Sequence, residues 1–263
     1  EAILWGVLQG ATEFLPVSSS GHLVLVPWLL GQTVPGVTYD VMAHAGTLAA
    51  ALVFFWRDIW GLLVGLWQSV RTRRLTPQGR LALLIVLSAV PAGLAGALLN
   101  DIVEAAFSKP AIVAVFMLVT GALLTLGERL GRRERGLVKL TLRDAITIGL
   151  AQCISLLPGV SRSGTTISTG LLRGLDRESA TRFSFLMALP VIAGAAGYQM
   201  LTLPVGELET GVGLLFFGFV SAALTGYVAL KWLLRLVRRH SLMPFAYYVW
   251  ALGLLCLIVA AVR

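Results

Sequence analysis

Charge is what this sequence has least of. Only 13% of its 263 residues are Asp, Glu, Lys or Arg, against roughly 25% in soluble domains. A water-soluble protein needs charged side chains to cover its surface. A soluble enzyme is therefore excluded in favour of an integral membrane protein. The hydrophobic share of 57% and a mean hydropathy of +0.85 agree. Cysteine is almost absent. Cys153 and Cys256 lie in apolar stretches with no CxxC spacing, which excludes a disulfide framework and a thiolate metal site. No stretch interleaves aromatic and basic residues in the manner of an RNA-binding module. The net charge of +8 accordingly points to cytoplasmic loops and not to nucleic acid. Glu1–Leu8 lacks a basic segment and is not expected to be a signal peptide.

Six stretches reach the length a membrane-spanning helix needs, about 20 apolar residues. They are Tyr39–Trp56, Gly79–Leu99, Pro110–Gly127, Ser179–Leu201, Gly211–Leu234 and Pro244–Val262. If six helices alternate, nearly all of the 21 Lys and Arg fall on one side. They cluster at Arg57–Arg80, at Arg129–Arg143, at Arg173–Arg182 and around Lys231–Arg239. The opposite connections, Asn100–Lys109 and Thr202–Thr210, carry Asp101, Glu104, Glu207 and Glu209 with only Lys109. The positive-inside rule places the basic side in the cytoplasm. Asp58–Val70 is Trp-rich and too short to cross, so it is expected to lie in the interface. Pro91 and Pro190 are expected to kink their spans. Arg129–Arg135 is expected to be a solvated cytoplasmic loop that meets lipid headgroups and has no catalytic role.

Two further apolar segments, Glu1–Gly31 and Asp144–Gly174, are interrupted by proline, glycine and serine. Neither half of either is long enough to cross, which predicts two re-entrant helical hairpins with a polar turn at depth. The interruptions repeat. QGATEFLPVSSSGH starts at Gln9 and QCISLLPGVSRSGT at Gln152. One register superposes Gln9 on Gln152, Ser18 on Ser161, Ser20 on Ser163 and Gly21 on Gly164. Each copy precedes three spans, an odd number, so the first hairpin enters from outside and the second from the cytoplasm. The fold expected is an all-α integral membrane protein: six transmembrane helices plus two re-entrant hairpins in an inverted-topology repeat. It forms one membrane domain over 1–263, with halves of approximately 1–127 and 144–263 joined by a basic cytoplasmic loop.

In each hairpin the returning helix is expected to start just after the serines. Inversion aims two positive helix N-termini at a common midplane, a ready anion site. Arg162 adds a fork suited to phosphate oxygens and is costly at membrane depth, which marks it as functional. Gln9 and Glu13 are four apart and share a helix face, and His22 follows one turn into the returning helix. A carboxylate, an imidazole and hydroxyls in an electropositive pocket are equipment for phosphoryl chemistry. Ser18 and Ser19 are also natural N-caps. Asp40 and His44 either edge this site or mark a hydrated helix end.

At these residues the sequence resembles a known family. QGATEFLPVSSSGH is similar to the first signature of the undecaprenyl-diphosphate phosphatases of the bacitracin-resistance type, [E/Q]xxxE followed by PVSSxGH. PGVSRSGTT, Pro158–Thr166, is similar to the second, PGxSRSxxT. The resemblance covers essentially the whole chain. It implies an integral membrane hydrolase that removes the terminal phosphate of undecaprenyl diphosphate on the periplasmic face of the bacterial inner membrane. It also implies dependence on a divalent cation, Mg²⁺ or Ca²⁺. The family motifs map onto Glu13, Ser18, Ser19, His22, Ser161, Arg162, Ser163 and Thr166, with Gln9 as the permitted variant of the first carboxylate.

The expected roles follow. Glu13, Ser19, His22 and Arg162 are catalytic, and Ser18, Ser161, Ser163, Thr166 and Gln9 bind phosphate. Glu13, helped by Gln9, holds the cation. Ser19, His22 or a metal-activated water is the nucleophile, and sequence does not separate these. The expected partners are a polyprenyl diphosphate and membrane lipids, with no nucleic acid. The oligomeric state stays open, a homodimer being the assembly considered. The rival reading is a transporter or flippase for a lipid phosphate or another anion.

Overall fold

The computed structural model describes residues 2–32, 36–202 and 211–263, and every regular element among them is helical. An isolated bridge between Arg135 and Leu175 is the one β pairing among the described residues. The connection expected at Thr202–Thr210 lies almost wholly outside the described residues.

Five helices are long and apolar enough to cross a membrane over Pro77–Leu99, Pro110–Leu130, Arg177–Tyr198, Val212–Leu236 and Met243–Val262. They belong to α5 (Pro77–Phe107), α6 (Pro110–Leu130), α9 (Arg177–Thr202), α10 (Val212–Leu236) and α11 (Met243–Val262). The chain is thus a multi-pass membrane protein. The span expected at Tyr39–Trp56 is matched in length but displaced by two residues: α3 (Val37–Phe54) ends before Phe55, and α4 (Trp56–Thr72) follows at a bend of 70°. A sixth span exists only if this bent pair counts as one. The bend falls where Arg57 and Asp58 end the apolar run. On α4, Trp56, Trp60, Leu63, Trp67 and Val70 form one exposed stripe at helical spacing. Arg57 and Arg71 lie over the Trp56 and Trp67 rings at 5.3 and 5.2 Å, a pattern suited to a membrane surface. At the far end of α5 the helix runs on to Phe107, through residues expected in a loop. It stops where Pro110 restricts the residue before it. Pro91 and Pro190 sit inside continuous helices.

Both broken segments fold as helix, break, helix. α1 (Ala2–Phe14) and α2 (Ser19–Leu30) have 13 and 12 residues. α7 (Leu142–Ile154) and α8 (Arg162–Leu172) have 13 and 11. At 1.5 Å per residue each is about 20 Å long or less, short of a hydrocarbon core of about 30 Å.

Small residues set the packing. α1 runs parallel to α10, and a Cβ added at Gly10 would lie 2.5 Å from the Ala222 carbonyl oxygen and 2.8 Å from the Gly226 nitrogen. α7 meets α5 in the same way, with a Cβ at Gly149 placed 2.4 Å from the Ser88 carbonyl. Only glycine permits these backbone approaches, the device by which helices associate where lipid removes the hydrophobic drive. α11 runs antiparallel to α6, with Trp250 Nε1 donating to the Leu118 carbonyl at 3.1 Å and the Leu242 amide donating to Glu128 at 3.0 Å. Phe14 packs edge-on against Phe185 with centroids 5.6 Å apart, which seats the end of α1 in the main core beside Phe55 and Met117.

The basic end of the molecule is pinned by two buried carboxylates. Asp144 takes both guanidinium nitrogens of Arg135 at 2.9 and 3.2 Å, Arg173 Nε at 2.9 Å and the Thr141 amide at 2.9 Å. Glu128 takes Arg177 at 2.8 and 2.7 Å and pairs with Arg133 at 3.3 Å. The segment expected to be a solvated loop is therefore anchored at Arg133 and Arg135. Two desolvated carboxylates recruit these arginines, which linear sequence does not display. Burial alone would raise the Asp144 pKa, but the bonds from Arg135, Thr141 and Arg173 outweigh it and hold the group well below the usual carboxylate range. A depressed folded-state pKa stabilises the fold above the unfolded value of about 3.9, and that stabilisation is lost as pH falls. Asp144→Asn is expected to lower the unfolding midpoint in detergent at neutral pH. The gap from wild type should close as pH drops below about 4, and a gap independent of pH would refute the account.

Candidate active site

The site is built where the two breaks meet. Each break ends in a serine cap. Ser18 Oγ accepts from the Gly21 amide at 3.1 Å and lies 3.2 Å from Ser20 Oγ. Ser161 Oγ accepts from the Gly164 amide at 3.0 Å and lies 3.2 Å from Ser163 Oγ. Each cap satisfies one first-turn amide, while the amides before it have no intrahelical carbonyl to bond. The breaks also bond to each other. The Gly159 amide donates to Ser20 Oγ at 3.4 Å, and Ser163 Oγ donates to the Leu15 carbonyl at 3.1 Å. Gly159, at φ +100°, approaches the Val113 carbonyl so closely that a Cβ would lie 2.3 Å from it; only glycine fits. Thr120 ties this break to α6, donating to the Gly159 carbonyl and accepting from the Ser161 amide, both at 2.9 Å.

Glu13, on the last turn of α1, is the centre. It is 8% exposed. Arg162, the first residue of α8, donates to Glu13 Oε1 at 2.6 Å. Ser19, the first residue of α2, donates to Oε2 at 2.6 Å, and Gln9 Nε2 donates to the same oxygen at 3.0 Å. Gln9 Oε1 is buried without a partner. A buried carboxylate with an arginine fork is stable only because its oxygens are so fully engaged. Four of the residues expected in the site, Gln9, Glu13, Ser19 and Arg162, thus form one connected group.

The others are placed differently. His22 has its polar contacts elsewhere: Nδ1 lies 2.7 Å from the Ser18 carbonyl and Nε2 lies 2.8 Å from the Tyr248 hydroxyl. Its ring stacks on Tyr248 with centroids 5.7 Å apart. Ser18 and Ser161 act as caps. Thr166 Oγ1 donates to the Arg162 carbonyl at 2.8 Å and lies 2.6 Å from Ser184 Oγ on α9, so it braces the start of α8. Sequence reading missed Tyr248 and Ser184, which lie inside expected spans with no motif around them. It left His44 undecided, and the structure brings its Nε2 to 3.9 Å from Glu13 Oε2, with Nδ1 3.4 Å from Asp40 Oδ1. The signal was the four-residue spacing of Asp40 and His44 on the first span.

Among the described residues no three His, Cys, Asp or Glu side chains converge as a metal cluster. The donors present around Glu13 are an unpartnered amide oxygen, a carboxylate and a hydroxyl, a hard-oxygen set. Mg²⁺ is often held by one or two carboxylates, waters and substrate phosphates, so the residues fit such an ion.

A guanidinium and a hydroxyl at the starts of two capped helices, both bonded to one carboxylate inside a multi-pass helical membrane protein, make a candidate site for an anionic group. The chain belongs to the family described as "Bacitracin resistance protein BacA", whose model it matches over residues 2–255. It is 47% identical over 250 residues to a Pelobacter propionicus protein named undecaprenyl-diphosphatase, covering 94% of this chain and 92% of that protein. A protein of the same name from Desulforudis audaxviator is 43% identical over 263 residues, covering 100% and 98% of the two chains. One from Methanosphaera stadtmanae is 38% identical over 272 residues, covering 99% and 98%.

The anion site carries a direct expectation. Inorganic pyrophosphate should raise the unfolding midpoint of the detergent-solubilised protein by several degrees, since a ligand bound only to the folded state stabilises it. Arg162→Ala should abolish the shift. A shift of equal size in that variant would refute the role of the guanidinium.

Proposed function

We propose that the protein hydrolyses undecaprenyl diphosphate to undecaprenyl phosphate and inorganic phosphate, recycling the lipid carrier for peptidoglycan synthesis. The observation that carries this reading is the double engagement of Glu13: one carboxylate holds both the hydroxyl that can attack phosphorus and the guanidinium that can hold phosphate. The names of the full-length relatives support the same substrate. A transporter or flippase would need the anion site but has no use for a hydroxyl held on a carboxylate.

The reaction follows from the geometry. The diphosphate takes Arg162 from Glu13 Oε1, and the amides at the starts of α2 and α8 add positive potential. Ser19 Oγ attacks the terminal phosphorus while its proton passes to Glu13 Oε2 over the existing 2.6 Å hydrogen bond. The anhydride P–O bond breaks, and its electron pair leaves with undecaprenyl phosphate. A water then attacks the phosphoserine phosphorus, the Ser19 Oγ–P bond breaks as protonated Glu13 returns its proton to Oγ, and phosphate departs as dihydrogen phosphate carrying both protons of the water. His22 as nucleophile is disfavoured because both ring nitrogens are engaged by Ser18 and Tyr248. Glu13 and Gln9 would hold the divalent cation, Mg²⁺ or Ca²⁺, whose contribution is to neutralise phosphate charge.

The architecture we propose is the inverted repeat with two re-entrant hairpins. Several observations support it. Exchanging the halves maps the α1–α10 contact onto α7–α5 and the α3–α10 contact onto α9–α5, while α6–α11 and α3–α9 map onto themselves. The serine caps obey the same exchange, and the equivalent Ser20 and Ser163 each bond the opposite break, the first accepting from the Gly159 amide and the second donating to the Leu15 carbonyl. The repeat breaks at one place that matters: Leu156 stands where Glu13 stands in the first half, so only one reaction centre results. The clustered arginines favour a cytoplasmic position for their side, which opens the site to the periplasm of a bacterial inner membrane.

Purified protein in detergent, given a polyprenyl diphosphate and Mg²⁺ or Ca²⁺, should release phosphate with no membrane present; a transporter would not. Arg162→Ala should lower kcat/KM by roughly 10²–10³-fold, and Ser19→Ala should leave no phosphorylated residue to trap. Phosphate trapped on His22, or near-normal turnover in folded Arg162→Ala, would overturn the mechanism. Orientation is tested with single cysteines in a background where Cys153 and Cys256 are alanine. Gln32→Cys should react with an impermeant maleimide on intact cells, and Val138→Cys only after permeabilisation. The reverse pattern would refute the periplasmic site.

A further inference from the structure

His44 faces Glu13, yet the mechanism above gives it no task. Its Nδ1 lies 2.9 Å from the Asp40 carbonyl oxygen and 3.4 Å from Asp40 Oδ1. Both oxygens only accept, so Nδ1 carries a ring proton and Nε2 is the nitrogen that turns toward Glu13, offering a lone pair once a cation displaces its proton. That nitrogen lies 3.9 Å from Glu13 Oε2. Two ligands that share one divalent ion, each about 2.1 Å from it, stand about 3–4 Å apart. Gln9, whose amide nitrogen bonds the same Glu13 oxygen, keeps its own Oε1 buried and unpartnered. A cation between Glu13 Oε2 and His44 Nε2 would gain Gln9 as a neutral oxygen donor if the Gln9 amide, now bonded to Glu13 through its nitrogen, turned Oε1 toward the carboxylate. A histidine whose second nitrogen is fixed by a carbonyl and a carboxylate is held in the way metal-ligating histidines are held. Access exists, because the side chains of His44 and Asp40 are 30% and 44% exposed.

We propose that His44 Nε2 is a direct ligand of the divalent cation, beside Glu13 and Gln9, and that Asp40 is the positioning residue that orients it. Waters and phosphate oxygens complete the shell, since no third His, Cys, Asp or Glu converges there among the described residues. The consequence is selectivity. An imidazole ligand favours first-row transition ions over Ca²⁺ and Mg²⁺, which prefer all-oxygen sites. The proposal rests on the hydrolase reading for the cation's purpose, but cation binding can be measured without turnover.

The test uses the full chain in detergent with no lipid substrate and Mn²⁺ as the probe. With ¹⁵N-histidine labelling, pulsed EPR of bound Mn²⁺ should show coupling to one histidine nitrogen. His44→Ala should remove that coupling and weaken Mn²⁺ binding by about 10–100-fold, while Ca²⁺ affinity stays within about twofold. Asp40→Asn should weaken Mn²⁺ within the same range with the coupling retained. The chain has only 3 histidines, so the wild-type spectrum is decisive even if a variant fails to fold: absence of histidine coupling overturns the proposal. Coupling that survives His44→Ala, or equal losses for Mn²⁺ and Ca²⁺, also overturns it. Mn²⁺ bound through His44 in a protein that releases no phosphate would support this proposal and refute the hydrolase reading alone.

Discussion

The pair formed by Glu13 and Arg162 is the interaction on which the rest of the structure turns. The two residues are 149 positions apart, one at the end of α1 and the other at the start of α8. Each is a charge that low-dielectric surroundings would reject singly. Together they neutralise one another, and the bond specifies how the first quarter of the chain must sit against the third. The packing exists to hold this geometry. Gly10 lets α1 lie against the backbone of α10, Gly159 lets the second break press on α6, and the serine caps fix where α2 and α8 begin. In the resting protein the guanidinium is satisfied by carboxylate. Substrate must therefore compete with an internal ligand for it, and a diphosphate, with more charge than any ordinary lipid headgroup, is suited to win. The same pair thus supplies stability before binding and selectivity during it.

Much of this was legible in the residues. Five of the six spans appear within a few residues of where apolar runs placed them, because a membrane leaves the backbone little choice but the helix. The helix breaks were readable for the complementary reason: Pro16 and Pro158, with the serines that follow them, have no place inside an uninterrupted span. The chemistry of Glu13, Ser19 and Arg162 was legible as a set of residue types. Their contact was legible only through the proposed repeat, in which the two breaks would face one another.

What sequence concealed follows from the same physics. The bend at Phe55 depends on where Arg57 and Asp58 meet the interface, and hydropathy averaged over a window smooths that away. Arg133 and Arg135 resemble any loop arginine until two buried carboxylates, Glu128 and Asp144, recruit them. His22 reads as a member of the constellation because it lies one turn from Ser19, yet the ring turns to Tyr248 on α11, more than two hundred positions away in sequence. Side-chain direction within a motif is set by partners the motif does not contain.

The contact between α1 and α10 has a consequence for biogenesis. The first helix leaves the ribosome early, but the surface that receives it belongs to residues near 218–226, made when most of the chain has already emerged. Until then α1 lacks the helix that seats it, even though Arg162, the partner of Glu13, has already been made. Contacts so remote in sequence form late and slowly. The nascent protein must therefore keep its N-terminal segment parked at the bilayer edge or in the insertion machinery, and hydrolytic competence arrives only with the penultimate helix.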